Sequence, residues 1–271
     1  MDARLQRRVQ RYGWDKAAPY YERYWQAQLA PARERLLALA ALCPAERVLD
    51  VACGTGLVTF PAAEAVGPTG SVSGTDISNA MVAHVRREAQ ARGLDHVSVT
   101  RGDAEQIDFP DSSFDAALCA LGLMYVADPL TSLEEMHRVL RPRGRMVAAV
   151  WGARNRCGWA EIFPIVDARV HSEVCPLFFQ LGTADRLPQV ATEAGFSVER
   201  ADRLSAILEY ESGADACGAA FAGGPVALAY SRFDAATREE AHAEYLASID
   251  RYRTSTGYRI PGEFVVIPAR R

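Results

Sequence analysis

Lysine is all but missing from this chain of 271 residues: Lys16 is the only one, and arginine supplies nearly all of the positive charge. Acids outnumber bases, 34 to 30, for a formal net charge of -4. A polyanion binder presents a basic face that displaces condensed counterions, so this balance disfavours nucleic acid as a partner. The N-terminal arginines Arg4, Arg7, Arg8 and Arg11 read as a solvated helix face and receive no function. No apolar run reaches the roughly 20 residues that span a bilayer, and the first 30 residues contain no apolar block of the kind that marks a secretory leader. A cytoplasmic protein without an integral membrane segment is expected. The cysteines Cys43, Cys53, Cys119, Cys157, Cys175 and Cys217 form no CxxC pair, so no metal or redox site is expected. Cys53 and Cys119, although inside candidate site segments, read as packing residues.

What is present is an ordinary globular composition, 49% hydrophobic and 24% charged, enough to bury the core of one enlarged domain over residues 1–271. From Arg47 onward, short apolar runs alternate with helical stretches, the pattern of a parallel sheet covered on both faces. The expected strands are Arg47–Ala52, Ser71–Asp76, His96–Arg101, Phe114–Ala120 and Arg145–Trp151, all read as buried. Ser78 caps a helix running towards Gly93, while Asp128 and Pro129 open another that stops near Pro142 and Gly144. Later come a helical stretch at Gly158–His171, a helix at Ala184–Ala194 and strands at Ser197–Tyr210 and Gly262–Pro268. Before the sheet, Trp14–Leu42 has helical spacing and gathers Trp14, Tyr20, Tyr21, Tyr24 and Trp25, which implies that something apolar is being covered.

Chemistry concentrates at the strand ends. Val48-Leu49-Asp50-Val51-Ala52-Cys53-Gly54-Thr55-Gly56 is an apolar strand closing on an acid and a glycine-rich turn, where the backbone can approach a ligand and Asp50 can neutralise an ammonium group. Asp76 ends the next strand about 20 residues after the glycines, the spacing at which a carboxylate holds ribose hydroxyls. After the third strand, Asp103 and the Ala104 N–H can meet the amino group and ring of adenine. Each of these acids alone could be a helix cap or a turn residue. Their order along the chain makes the joint reading specific.

The blocks VLDVACGTG, GTDISNAM, GDAEQIDFPDSSFD and RVLRPRGR resemble the class I S-adenosylmethionine-dependent methyltransferases, in particular the type 11 domain and the ubiquinone/menaquinone C-methyltransferase-like group. The resemblance covers about 14–151 and implies a Rossmann-like α/β fold, with a mostly parallel seven-stranded sheet and helices on both faces. It implies S-adenosyl-L-methionine as cofactor, held at Asp50, Ala52, Gly54 and Gly56 on its methionine part, at Asp76 on the ribose, and at Asp103 and Ala104 on the adenine. Ile77 and Met81 would pack beside the adenosine, Ala120 would offer a backbone carbonyl, and Tyr21 would close over the site. Ala52 departs from the pattern, since many relatives carry glycine there.

A sulfonium methyl is already activated, so the protein has mainly to align a nucleophile and exclude water. Glu161, Asp167 and His171 are available as general bases, but no catalytic residue is assigned and no metal is expected. Residues 152–182 and 212–254 are expected to form a helical cover over a small-molecule methyl acceptor, with Phe221, Tyr230 and Tyr245 enclosing its pocket. The atom methylated and the oligomeric state are left open. Two alternatives remain: a nicotinamide-dependent oxidoreductase, weakened because Thr59 stands where the dinucleotide fingerprint needs its third glycine, and a non-catalytic cofactor-binding subunit.

Overall fold

A computed structural model describes residues 3–170, 175 and 177–271. Two helices, α1 (Ala3–Trp25) and α2 (Ala30–Ala40), precede the alternating core. The core runs β1 (Arg47–Val51), α3 (Thr59–Val66), β2 (Ser71–Asp76), α4 (Asn79–Ala91), β3 (Val97–Arg101), β4 (Phe114–Ala120), α5 (Pro129–Val139) and β5 (Leu140–Trp151). It continues through α6 (Ile162–Val170), α7 (Arg186–Glu193), β6 (Ser197–Val198), β7 (Asp202–Tyr210), α8 (Gly213–Cys217), α9 (Ala227–Tyr230), α10 (Ala235–Ile249) and β8 (Tyr258–Arg270). Among the described residues no helix is long and apolar enough to cross a membrane.

The sheet has eight strands in the order β3-β2-β1-β4-β5-β8, with β6 and β7 both on the outer side of β8. The first five strands are parallel and β8 is antiparallel to β5. The expected seven strand positions and the observed eight strands agree once the outermost position is seen to be divided. β6 pairs with Arg270 and Ala269, and β7 takes over from Asp202 opposite Val266. Between them 199–201 face Ile267 and Pro268, three residues against two. Because Pro268 has no N–H to donate, the single strand expected over Ser197–Tyr210 breaks there. Reversal of strand order between β1 and β4 opens a crevice at the carboxyl ends of the strands, where α/β sheets bind ligands.

The helix starts follow from local chemistry. The Ser78 hydroxyl accepts the Met81 N–H at 3.2 Å, and Asp128 accepts the Leu130 N–H at 3.0 Å and the Thr131 N–H at 3.3 Å, each satisfying donors that a helix leaves over in its first turn. Two expectations need correction. β5 does not wait for Arg145: it begins at Leu140, paired with Phe114, and passes Pro142 through an irregular stretch in which Arg143 adopts φ 67°. Nor is β3 buried, because it is the sheet edge and only Val99 of its five residues is fully covered.

Candidate functional site

A cavity of about 1000 Å³ opens over the carboxyl ends of β1, β2 and β4, and a smaller one of about 430 Å³ adjoins it. Tyr21, Leu29, Ala52, Gly54, Ala120 and Leu121 line both, so the two are chambers of one space. Of the residues expected from sequence, Tyr21, Ala52, Gly54, Asp76, Ile77, Met81, Asp103, Ala104 and Ala120 lie on the larger chamber and Asp50 on the smaller. Gly56 lines neither. At φ 91° it makes the turn, and a Cβ there would come within 2.6 Å of the Phe60 ring, so backbone conformation and packing both require glycine there.

Asp76 organises the turn between the chambers. Its two carboxylate oxygens accept the Gly54 N–H at 2.9 Å and the Ser78 N–H at 2.8 Å. Burial pushes its carboxyl up to about 6 against the opposing pull of those N–H groups, and Asp15 nearby raises it further. Asp50 accepts the Thr59 hydroxyl at 2.6 Å, and burial pushes it up to about 7, with Asp76 adding to the rise. The residue that breaks the dinucleotide fingerprint is thus the one that fixes this carboxylate.

The turn also carries backbone strain. Ala52 sits at φ 56° and Leu121, after β4, at φ 63°, both left-handed and both on the cavity wall. The glycine absent at 52 is compensated across the site, since a Cβ on Gly122 would fall 2.5 Å from that of Ala52. Left-handed backbone costs an L-residue roughly 1–2 kcal/mol, and glycine gives back about 0.4–1 kcal/mol through a freer unfolded chain. Ala52→Gly is therefore expected to stabilise the protein by up to about 1 kcal/mol. This would be read as a higher urea midpoint at unchanged slope; a lower midpoint would contradict the strain argument.

Helix α1 closes the site from above. The aromatic group expected to cover something apolar divides: Trp14, Tyr21 and Trp25 line the cavity, Tyr24 packs against Gly218 and Gly223, and Tyr20 is 47% exposed. Arg7, read from sequence as a solvated position, lines the cavity and bridges Asp103 at 2.9 Å and Glu105 at 2.5 Å. Asp15 accepts the Ser78 hydroxyl at 2.6 Å and the Ala80 N–H at 3.0 Å, and Gln6 donates to the Val126 carbonyl at 3.1 Å. One helix is thereby tied to the loops after β2, β3 and β4. Sequence reasoning also missed Arg33 and Thr55 on the small chamber and Tyr125, Trp151, Trp159 and Phe178 on the large one. For Arg33 and Tyr125 no local pattern signals the site.

The far side of the cavity is reached by Trp159 and Phe178 from the first expected cover segment, and by Gly224 and Pro225 from the second. Phe221, Tyr230 and Tyr245 do not line it. Their rings pack together, Phe221 at 5.2 Å from Tyr230 and 5.7 Å from Tyr245, as a secondary core. Asp167 and Glu161 are off the cavity, and Glu161 pairs with Arg154 at the surface. His171 lies outside the described residues. Cys53 and Cys119 are buried with their thiols raised by burial, consistent with packing. Among the described residues no His, Cys, Asp or Glu group has metal-holding geometry.

Residues 48–144 match the family model of a methyltransferase domain. Over 118 residues the chain is 41% identical to the demethylmenaquinone methyltransferase of Geobacillus stearothermophilus, a stretch covering 44% of this chain and 50% of that protein. The chain therefore spans about half the length of the curated relatives it matches. Among solved structures, the [4+2]-cyclase SpnF superposes with a TM-score of 0.60 at 20% identity, covering 89% of this chain and 80% of that one. The geranyl diphosphate C-methyltransferase of Streptomyces coelicolor A3(2), solved with Mg2+, geranyl diphosphate and S-adenosyl-L-homocysteine, gives a TM-score of 0.54 at 16% identity, covering 89% of this chain and 80% of that one. These structural likenesses show the Rossmann-like fold alone. A cyclase among them illustrates that the fold does not fix the chemistry.

Proposed function

We propose that this protein binds S-adenosyl-L-methionine and transfers its methyl group to a small-molecule acceptor. The observation that carries the reading is the polarity of one continuous cavity, with Asp50, Asp76 and Asp103 at successive strand ends on one side and aromatic rings on the other. The residues present suit the cofactor. In the small chamber Arg33 and Asp50 offer opposite charges, which an α-amino acid zwitterion satisfies, and the buried Thr55 hydroxyl has no partner among the described residues. Asp76 would take the ribose, Asp103 and the Ala104 N–H the adenine, with Ile77 and Met81 beside it and Tyr21 closing above. When bound, the cofactor supplies an activated methyl group. The chain's own task is then to align the acceptor and keep water out, with 14–151 as the cofactor core and 152–182 and 212–254 as the cover of a single domain. A net charge of -4 favours a small acceptor over nucleic acid.

Ligand at about 100 times Kd stabilises a fold by about 2.7 kcal/mol, so saturating S-adenosylmethionine or S-adenosylhomocysteine is expected to raise Tm by roughly 5–10 °C for a chain of this size. A shift with a nicotinamide dinucleotide and none with either sulfur nucleoside would reject the assignment. Cofactor binding without turnover on any acceptor class, followed by mass spectrometry, would favour a non-catalytic cofactor-binding subunit.

A further inference from the structure

The acceptor side of the cavity is built as a chain of rings. Tyr21 packs edge-on to Trp14 with centroids 5.8 Å apart, Trp14 to Tyr125 at 4.9 Å, Tyr125 to Phe178 at 5.4 Å and Phe178 to Trp159 at 5.5 Å. All five line the same space. Edge-to-face packing on both sides fixes the orientation of the middle rings, so their polar atoms are not free to swing towards a partner elsewhere.

One of those polar atoms is buried and left over, and a second belongs to a ring on the cavity wall. The indole N–H of Trp159, a residue only 3% exposed, has no hydrogen-bond partner among the described residues. Tyr125, half-buried on the cavity wall, has its hydroxyl raised well above the usual phenol range by burial, then by Cys175 and Tyr21. It is thus held as a neutral donor. A buried donor without an acceptor costs roughly 1–3 kcal/mol, and native proteins seldom leave one unless a ligand or water completes it. Both donors flank Phe178, so the apolar wall carries two hydrogen-bonding points beside one ring.

Resting on the reading of this cavity as a methyl-transfer site, we propose that Tyr125 and Trp159 are specificity-determining residues, donating hydrogen bonds to oxygen on an acceptor whose apolar body lies against the aromatic rings. The acceptor class is an apolar molecule bearing a hydroxyl or carbonyl oxygen, and hydrocarbons of the same shape bind less well.

The test uses the full-length protein loaded with S-adenosylhomocysteine, and 2-naphthol and naphthalene as a matched pair of probes, titrated by quenching of tryptophan fluorescence. Wild type is expected to bind 2-naphthol about tenfold more tightly than naphthalene, the preference that one hydrogen bond provides. In Tyr125→Phe the preference should collapse to within about twofold and in Trp159→Phe it should narrow, with naphthalene affinity held within a few-fold. S-adenosylhomocysteine affinity, measured separately by calorimetry, should stay within twofold in both variants. Equal affinity of wild type for the two probes overturns the proposal whether or not the variants fold, as does binding of neither probe or a preference that survives in Tyr125→Phe. Failure of the cofactor reading would appear separately, as absent S-adenosylhomocysteine binding before any probe is added.

Discussion

Asp76→Ala is expected to weaken S-adenosylhomocysteine binding about a hundredfold, while Asp95→Ala changes it less than twofold. Hydrogen bonds from a ligand to a charged group contribute roughly 1.5–3 kcal/mol, which is ten- to hundredfold in affinity. The upper end applies because Asp76, besides the ribose contact proposed for it, holds the turn together. Its carboxylate also accepts the Gly54 and Ser78 N–H groups, so truncation leaves two buried donors unsatisfied and loosens the turn that shapes both chambers. Asp95 is exposed, beyond the end of α4, and controls for the loss of one charge. Asp76→Asn keeps one carbonyl acceptor and should fall between the two. Calorimetric titration decides it, with circular dichroism melts to establish that each variant is folded. Equal affinity in folded Asp76→Ala and Asp95→Ala would remove Asp76 from the site.

Asp76 was legible in the sequence because its requirements are local. A strand end, a glycine turn some 20 residues upstream and a helix cap two residues on are all written in consecutive residues, and backbone geometry leaves few ways to satisfy them together. The parallel core strands and the Ser78 and Asp128 caps were legible for the same reason. Arg7 was not. On its own helix it is one more arginine in a charged run, and only the docking of α1 across the loops after β2 and β3 brings it to Asp103 and Glu105. Tyr125, Trp159 and Phe178 are likewise brought together from separate parts of the chain by tertiary packing alone, and their shared ring contacts leave no periodic trace. Gly56 shows the converse. The motif that marks the site contains a glycine needed for the left-handed turn and for room beside Phe60, and a short motif does not separate that purpose from ligand contact. In the cover, the aromatic residues of α9 and α10 were visible in the sequence, but whether they faced the cavity or each other depended on the turn at Gly223 and Gly224, which presents Gly224 and Pro225 to the cavity instead.

The carboxylates that mark the site should also set how the protein responds to pH. Without ligand, stability is expected to fall as pH rises from about 4 to 7. Asp50 has its carboxyl pushed from 3.8 up to about 7 and Asp76 from 3.8 up to about 6, both chiefly by burial. Between about pH 4 and 7 the folded chain therefore holds more protons than the unfolded one, and stability falls with pH wherever that is so. At 1.36 kcal/mol per pH unit, the interval for Asp50 alone is worth on the order of 4 kcal/mol. Because Asp76 raises Asp50, the observed transition belongs to the pair. Asp50→Asn, which can still accept from Thr59, should remove most of it, leaving the variant more stable than wild type at pH 8 and about equal to it near pH 4. A cationic ligand reverses the sign. An ammonium group needs the ionised Asp50, so S-adenosylhomocysteine affinity should fall as pH drops below about 7 in wild type, and at pH 8 it should be at least about tenfold weaker in Asp50→Asn, the loss of one charge-assisted hydrogen bond. Urea titrations at pH 5, 6.5 and 8, with and without ligand, measure both effects. A flat profile without ligand, or an Asn variant less stable than wild type at pH 8, would mean that Asp50 is ionised and compensated in the folded protein, and the small chamber would then have no unmet negative charge to offer an amino group.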